Sequence, residues 1–260
     1  MLIAERLNKI KKIIQEYKSI SIETLASMTG VSKDTIRRDL IKLEQENKIK
    51  RTHGGAVILN RDALIFNYQQ RSILLNPVKE SIAMKAAEMI KDHASILFDA
   101  STTVEAVIPY LADKQILAIT NSLTNANQLA NNKLSEVKLL PGTLHKEQLF
   151  LFGSETILKL AEYHVDYLLL GIFSITAEGI FIHTEEEGLV KRQMIRQSTK
   201  VIALTDHTKI NKTGFFKVCD LASIDYLITD VKPDEQFIQA LAEQNVKLII
   251  TTMQNEAHHA

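Results

Sequence analysis

The chain has 260 residues, a hydrophobic fraction of 45%, a charged fraction of 24% and no formal net charge, the profile of an ordinary globular protein with room for two domains. No run of about 18 apolar residues is present, so a membrane-spanning helix is excluded, and the N-terminus lacks a signal-peptide pattern; a cytoplasmic location is expected. The charge is unevenly spread: residues 1–60 hold twelve Lys plus Arg against seven Asp plus Glu, a net of +5, which leaves −5 for the rest. A basic module on an acidic body fits nucleic-acid binding by the module alone.

Ile3, Leu7, Ile10 and Ile14 recur at helical spacing and predict an amphipathic helix over residues 3–17. Ser21 then caps a short helix holding Ile22, Leu25, Ala26 and Met28, which stops at Thr29-Gly30, where Gly30 supplies the turn. Ser32 caps a third helix. Its Ile36, Leu40 and Leu43 form one apolar stripe, while Asp34 and Arg38 face the opposite way with Arg37 beside them. Two adjacent arginines on the exposed face suit a DNA major groove, although charge pairs are also common on any solvated helix face. Helix, short helix, Gly-containing turn and basic capped helix make a helix-turn-helix. Residues 48–58 follow as two short extended runs about Gly54-Gly55, read as the wing of a winged helix, with Lys48, Lys50, Arg51 and His53 placed to meet phosphates. The alternative is a plain surface hairpin. The candidate DNA contacts are Ser32, Lys33, Thr35, Arg37, Arg38, Lys50, Arg51, His53, Gly54 and Gly55.

Residues 1–58 resemble the DNA-binding domain of the DeoR-type bacterial regulators, whose signature is similar to Val31-Ser32-x-x-Thr35-Ile36-Arg37-Arg38-Asp39-Leu40 followed by His53-Gly54-Gly55-Ala56.

Residues 59–76 read as a linker, with a short helical segment over 65–71, and Asn76-Pro77 starts a helix whose buried stripe is Ile82, Ala86, Met89 and Ile90. Apolar runs suited to buried strands then appear at 95–98, 116–119, 137–140, 167–170, 201–204, 226–228 and 246–250, with helical patterns at 103–111, 123–130, 154–160, 185–197 and 233–243. Strands alternating with helices imply an α/β domain with a mostly parallel sheet, here over residues 77–252, and a tail at 253–260. Ligands of such sheets bind outside the carboxyl ends of the strands. Those ends carry Asp99, Ser101, Thr102 and Thr103, then Thr120, Asn121 and Ser122, then Gly142, Gly171, Asp206 and Lys209. Hydroxyls, amides and helix N-termini gathered on one rim suit a polyol phosphate, although a Ser or Thr at such a turn is equally an ordinary cap. Lys191 and Arg192 on a helix and Lys209 on a loop are candidates for phosphate oxygens, and Glu187 for a hydroxyl.

This second part resembles the effector domain of the same family over roughly residues 64–230. The resemblance implies a fold related to ribose-5-phosphate isomerase and a phosphorylated sugar as the sensed metabolite. Matching positions include Arg71, Lys79, Asp99, Thr102, Thr103, Thr120, Asn121, Ser122, Gly142, Gly171, Lys191, Asp206, Lys209, Thr229 and Asp230. Two positions depart from the pattern: Ser101 stands where the family has glycine, and Pro141 where it has the first of two glycines.

Cys219 is the only cysteine, so no intrachain disulfide forms, and its apolar neighbours point to a packed side chain. The histidines lack metal-site spacing, and no metal or cofactor is expected. The function expected is a DNA-binding regulator, most readily a repressor of a carbohydrate operon, acting on operator DNA as a dimer or tetramer and controlled by a phosphorylated sugar, with no membrane partner. The competing reading is a sugar-phosphate isomerase with an added basic domain, in which Asp99 or Asp206 would move the proton.

Overall fold

The computed structural model describes residues 3–17, 19–45, 49–51, 54–58, 68–73 and 76–251. The chain divides into two compact units, Met1–Ile65 and Phe66–Ala260.

In the first unit, α1 (Ile3–Tyr17), α2 (Ile22–Thr29) and α3 (Lys33–Gln45) pack over a three-stranded antiparallel sheet in the order β1 (Ser19–Ser21), β3 (Gly55–Ile58), β2 (Ile49–Arg51). Ile10, Ile14, Leu25, Ile36, Leu40, Leu43 and Ile49 form its core. The two-stranded wing therefore has a third strand, β1, which the polar tripeptide Ser19-Ile20-Ser21 does not advertise. Two identical caps start α2 and α3: Ser21 Oγ accepts from Thr24 N at 3.1 Å and Ser32 Oγ from Thr35 N at 3.2 Å. Between them Gly30 adopts φ +73° and donates its N–H to Ala26 O at 2.9 Å, the left-handed stop expected of that residue.

In the second unit, seven parallel strands run in the order β15 (Lys247–Ile250), β14 (Tyr226–Thr229), β12 (Ser198–Leu204), β9 (Val165–Gly171), β4 (Ser95–Phe98), β5 (Ile116–Thr120), β6 (Ser135–Leu139). All seven apolar runs read from the sequence become these strands. Alternate residues serve opposite faces: Leu97, Leu168, Leu170, Val201 and Ala203 join one buried cluster, and Ile96, Phe98, Leu169, Ile202 and Leu204 the other. The first cluster is completed by α8 (Ser154–Leu160), α9 (Glu185–Arg196) and α10 (Glu235–Glu243). The second is completed by α5 (Asn76–Met89), α6 (Thr102–Glu105) and α7 (Leu123–Leu129). Burial on both faces is why the strands read as continuous apolar runs.

Some details differ from the sequence reading. The helix expected over 103–111 is α6 followed by a 3₁₀ turn, Ile108–Leu111, because Pro109 has no N–H to continue an α ladder. A hairpin of β7 (Thr143–His145) and β8 (Phe150–Phe152), and an antiparallel sheet of β10 (Ser174–Thr176), β11 (Gly179–Ile182) and β13 (Phe216–Cys219), escaped the sequence. The segment read as linker contributes α4 (Tyr68–Ile73) to the second unit: Tyr68 Oη donates to Glu105 Oε1 at 2.7 Å and Arg71 Nη2 to Gln148 Oε1 at 2.7 Å.

The order in which strands are added reverses between β4 and β9, although all of them run parallel. From β4 the sheet grows one way through β5 and β6; from β9 it grows the other way through β12, β14 and β15. The carboxyl ends of β4 and β9 thus meet at the switch point where open α/β sheets take their ligands.

Candidate functional site

In the first unit the exposed face of α3 carries the basic residues. Arg38 is exposed and makes no ion pair or hydrogen bond with any described residue. Arg37 pairs with Asp34 at 2.7 Å with both side chains more than half exposed, and Lys33 pairs across to Glu23 of α2 at 2.8 Å. Exposed pairs of this kind are worth at most about 1 kcal/mol and exchange readily for a phosphate. Thr35 shares its hydroxyl with Ser32 at 2.9 Å, so both residues shape the helix start. Asp39, which the signature includes, lies inside: its carboxylate takes two hydrogen bonds from Arg6 of α1, at 2.6 and 3.0 Å, with its side chain 3% exposed. That clasp fixes the angle between α1 and α3, and the one-dimensional helix pattern had not singled it out.

In the wing, Arg51 is tied by its N–H and Nε to Glu44 of α3, at 2.9 and 2.6 Å. Gly55 is buried; a Cβ there would stand 2.1 Å from Ile20 O, so its glycine serves the approach of β3 to β1. Gly54 is exposed and its carbonyl accepts from Ile22 N at 3.0 Å. Lys48, His53 and the side chain of Lys50 lie outside the described residues.

In the second unit the rim residues gather at the carboxyl edge, and most are engaged in holding the strand ends. Asp99 Oδ2 accepts from Lys191 Nζ at 2.5 Å and from Gly171 N at 2.9 Å, and Lys191 also donates to Gly171 O at 3.1 Å. Glu187, one turn before Lys191, stands 3.7 Å from the same ammonium. Burial, with Asp99 adding to it, pushes the Glu187 carboxyl up, against the pull of Lys191, Arg71 and His145. Gly171 has no room for a Cβ, which would lie 1.9 Å from Ser101 Oγ. Ser101 Oγ in turn accepts from Thr103 N at 3.2 Å and Val104 N at 3.3 Å. Ser101 therefore satisfies with its own hydroxyl two N–H groups of the first turn of α6. Thr102 Oγ1 donates to Arg71 O at 3.4 Å.

Thr120 is fully buried, bridging Phe98 O and Ser122 N at 2.8 and 3.0 Å, and Ser122 caps α7 through Asn125 N at 3.2 Å. Asn121 gives its amide to Leu151 O at 2.9 Å, while its Oδ1 is buried with no partner among the described residues. Gly142, at φ +144°, lies against Thr156 and Phe152, leaving no space for a side chain. Asp206 caps the turn at His207–Lys209 through Thr208 N at 2.8 Å. Arg192, read as a phosphate candidate, instead donates to Val218 O and Lys217 O at 3.0 and 2.6 Å. Asp99 and Asp206 thus both hold the scaffold.

Three cations on this rim, Arg71, Lys79 and Lys209, form no ion pair with a described carboxylate. Lys79 is buried and donates to Arg71 O; burial pushes its ammonium down to about 8, with Arg71 and Lys209 adding and Asp206 and Glu105 opposing. Arg71 Nε, His145 Nδ1 and His183 Nδ1 are buried without a partner among the described residues. Neither histidine has metal-site spacing in the sequence. They come from separate strands and turns, so only the fold brings them near Arg71. Tyr68 is pushed up to about 12 by burial and by its bond to Glu105. Cys219 is half-buried, and burial with Asp220 beside it pushes its thiol up to about 12, so it stays a thiol.

Burial, then Arg71, Lys191 and His145, push the His183 ring down from 6.5 to about 4. The folded unit therefore binds fewer protons there than the unfolded chain between these values. Stability is full above pH 6.5 and falls as the pH drops through that window. His183→Asn is expected to flatten the stability curve there, checked by denaturant unfolding at steps from pH 7 to 4. An unchanged slope would show that other groups carry the acid sensitivity.

Comparison with known proteins agrees over both units. The DeoR-like helix-turn-helix domain model matches residues 6–62, and the DeoR C terminal sensor domain model matches residues 76–231. The HTH-type transcriptional repressor GlcR of Bacillus subtilis is 41% identical over 95% of this chain and 96% of its own length. The glycerol-3-phosphate regulon repressor of Escherichia coli K12 is 30% identical over 94% of this chain and 97% of its own. Among solved structures, ribose 5-phosphate isomerase A from Neisseria gonorrhoeae aligns with a TM-score of 0.38 and 17% identity, covering 51% of this chain and 52% of that one. A likeness at that level carries no functional weight. With both domain models in order along one chain, and a repressor at 41% identity over nearly its whole length, the protein belongs to the DeoR family of transcriptional regulators.

Proposed function

We propose that this protein represses a carbohydrate-metabolism operon and that a phosphorylated sugar, bound at the carboxyl edge of the seven-stranded sheet, controls its hold on operator DNA. The observation that carries the reading is the presence of Arg38 on the capped helix of the first unit, and of Arg71, Lys79 and Lys209 on the rim of the second, each without an ion pair among the described residues. Arg37, Arg38 and Lys33 would meet bases and phosphates, with Ser32 and Thr35 fixing the helix start; Lys50, Arg51, His53 and Gly54 would bring the wing to the backbone. Asp99, Ser101 to Thr103, Thr120 to Ser122, Gly142, Gly171, Lys191, Asp206 and Lys209 would frame the metabolite. Because the named relatives are repressors and Asp99 and Asp206 are committed to the scaffold, no reaction is assigned to the site. Control requires the metabolite to bind unequally to the DNA-competent and DNA-released conformations. One winged helix covers one half-site, so two or more copies act together.

The test is fluorescence anisotropy on DNA from upstream of the gene and of neighbouring operons, titrated with a panel of sugar phosphates. Tight, salt-sensitive binding released by one compound supports the reading; binding that no compound alters removes its effector half. In the same assay Ser101→Gly is expected to change folding stability by only a few tenths of a kcal/mol while freeing two N–H groups, so the releasing compound should act at several-fold lower concentration. An unchanged half-release concentration would show that the phosphate lies elsewhere on the rim.

A further inference from the structure

The seven-stranded sheet ends at β6, which pairs with β5 on one side and with no described strand on the other. Leu140 N, just past β6, donates to Thr120 O of β5 at 2.8 Å. Main-chain groups alternate along a strand, so Glu136 and Lys138 also turn their N–H and C=O toward β5, and Ser135, Val137 and Leu139 turn theirs outward. Ser135 N is taken by Asn132 O at 3.2 Å. The N–H groups of Val137 and Leu139 face the open edge. An exposed row of this kind is a template for another strand.

The side chains on this edge form a self-complementary code. Glu136 and Lys138 project from the same face of β6, 3.0 Å apart, and are 69% and 41% exposed. They stand one residue to either side of Val137. If a second β6 runs antiparallel about a two-fold axis at Val137, position 136 of one copy lies opposite 138 of the other, twice. Both are non-hydrogen-bonded pairs, the kind whose side chains approach most closely. Val137 then exchanges N–H and C=O with its own mate, and each Leu139 N–H meets the partner strand's Ser135 carbonyl. On the opposite face of β6 from the charges, Leu139 is 45% exposed at the strand's end.

We propose that β6 is a homodimerisation edge, at which two copies join antiparallel about Val137 into one continuous fourteen-stranded sheet. A two-fold contact of this kind is isologous: the same patch serves both copies and closes after two. A strand of a different protein would need the same acidic-x-basic order along its own chain to match as well, whereas a second copy of this chain supplies it by symmetry. The inference stands apart from the effector reading, which is tested by release from DNA and not by association state.

The experiment is sedimentation velocity on the full chain and three variants, with circular dichroism to establish that each is folded. Wild type is expected to be a dimer. Glu136→Lys places two lysine pairs across the junction and Lys138→Glu two glutamate pairs, so each single variant should dimerise at least about tenfold more weakly. The double variant Glu136→Lys/Lys138→Glu is again self-complementary and should recover wild-type association. An equimolar mixture of the two single variants should form a mixed dimer, since each presents what the other lacks. A monomeric wild type, single variants that associate like wild type, or single variants whose weakness is relieved neither by the double exchange nor by mixing would each overturn the proposal.

Discussion

Replacing Arg38 with Ala is expected to weaken operator binding by roughly 5- to 150-fold, the effect of about 1–3 kcal/mol that a lost base-edge contact carries. Arg38 is the strongest choice on α3 because its guanidinium is exposed and has no ion pair with a described residue. Arg37 must first give up Asp34, and Lys33 must give up Glu23. Folding stability should stay within about 0.5 kcal/mol, since an exposed helix position without partners is being trimmed. Anisotropy titrations on operator and on scrambled DNA separate the outcomes. A loss confined to the operator makes Arg38 a base reader, whereas an equal loss on both makes it a phosphate contact with a shallower salt slope. Unchanged affinity on both would remove α3 from the groove.

Lys191→Met should be the most damaging single change in the second unit. It leaves the Asp99 carboxylate, 3% exposed, with the Gly171 N–H and no ion pair among the described residues. Breaking a buried pair from one side costs about 3–5 kcal/mol, which for a domain of this size lowers the melting temperature by roughly 10 °C. Adding Asp99→Asn to the same chain removes the stranded charge, and the double variant should regain a good part of the loss. Calorimetry on the two single variants and the double variant checks this as a cycle. Additive losses would mean that the 2.5 Å contact contributes little and that Lys191 acts through its stem. DNA binding without metabolite should persist in the double variant, because α3 belongs to the other compact unit.

The parts of this structure that were legible in the sequence share a physical cause. Strands such as β4 and β12 are buried on both faces, so their apolar runs stand out, and Ser21, Gly30 and Ser32 punctuate the first unit through local backbone chemistry. Strands of three or four residues in β7, β8, β10 and β13 are too short to show a period, and β1 is two-thirds serine. The rim residues were legible because they follow the strands directly. Their partners were not: Lys191 finds Asp99 across 92 positions and Arg71 finds Gln148 across 77, separations on which local pattern is silent. Hence several residues read as ligand contacts, among them Thr120, Ser122 and Gly142, are occupied in building the rim. Arg71, Lys79, His145 and His183, which resemblance or composition had touched only in passing, carry the unmatched charge and the unpaired nitrogens.

The position of β9 between β4 and β12 sets an order of events in folding. Ile96 pairs with Tyr167, so the middle of the sheet closes only after a loop of about seventy residues has been drawn together. As the chain leaves the ribosome, the three helices and small sheet of the first unit find all their partners within sixty residues and can form early. The half-sheet β4-β5-β6 must wait, with its β4 margin still unpaired, until Val165–Gly171 has been synthesised. Parallel pairings of such long separation are slow and leave apolar strand edges exposed meanwhile. Overproduction at low temperature, where synthesis slows relative to collapse, should therefore raise the yield of soluble protein through the second unit alone.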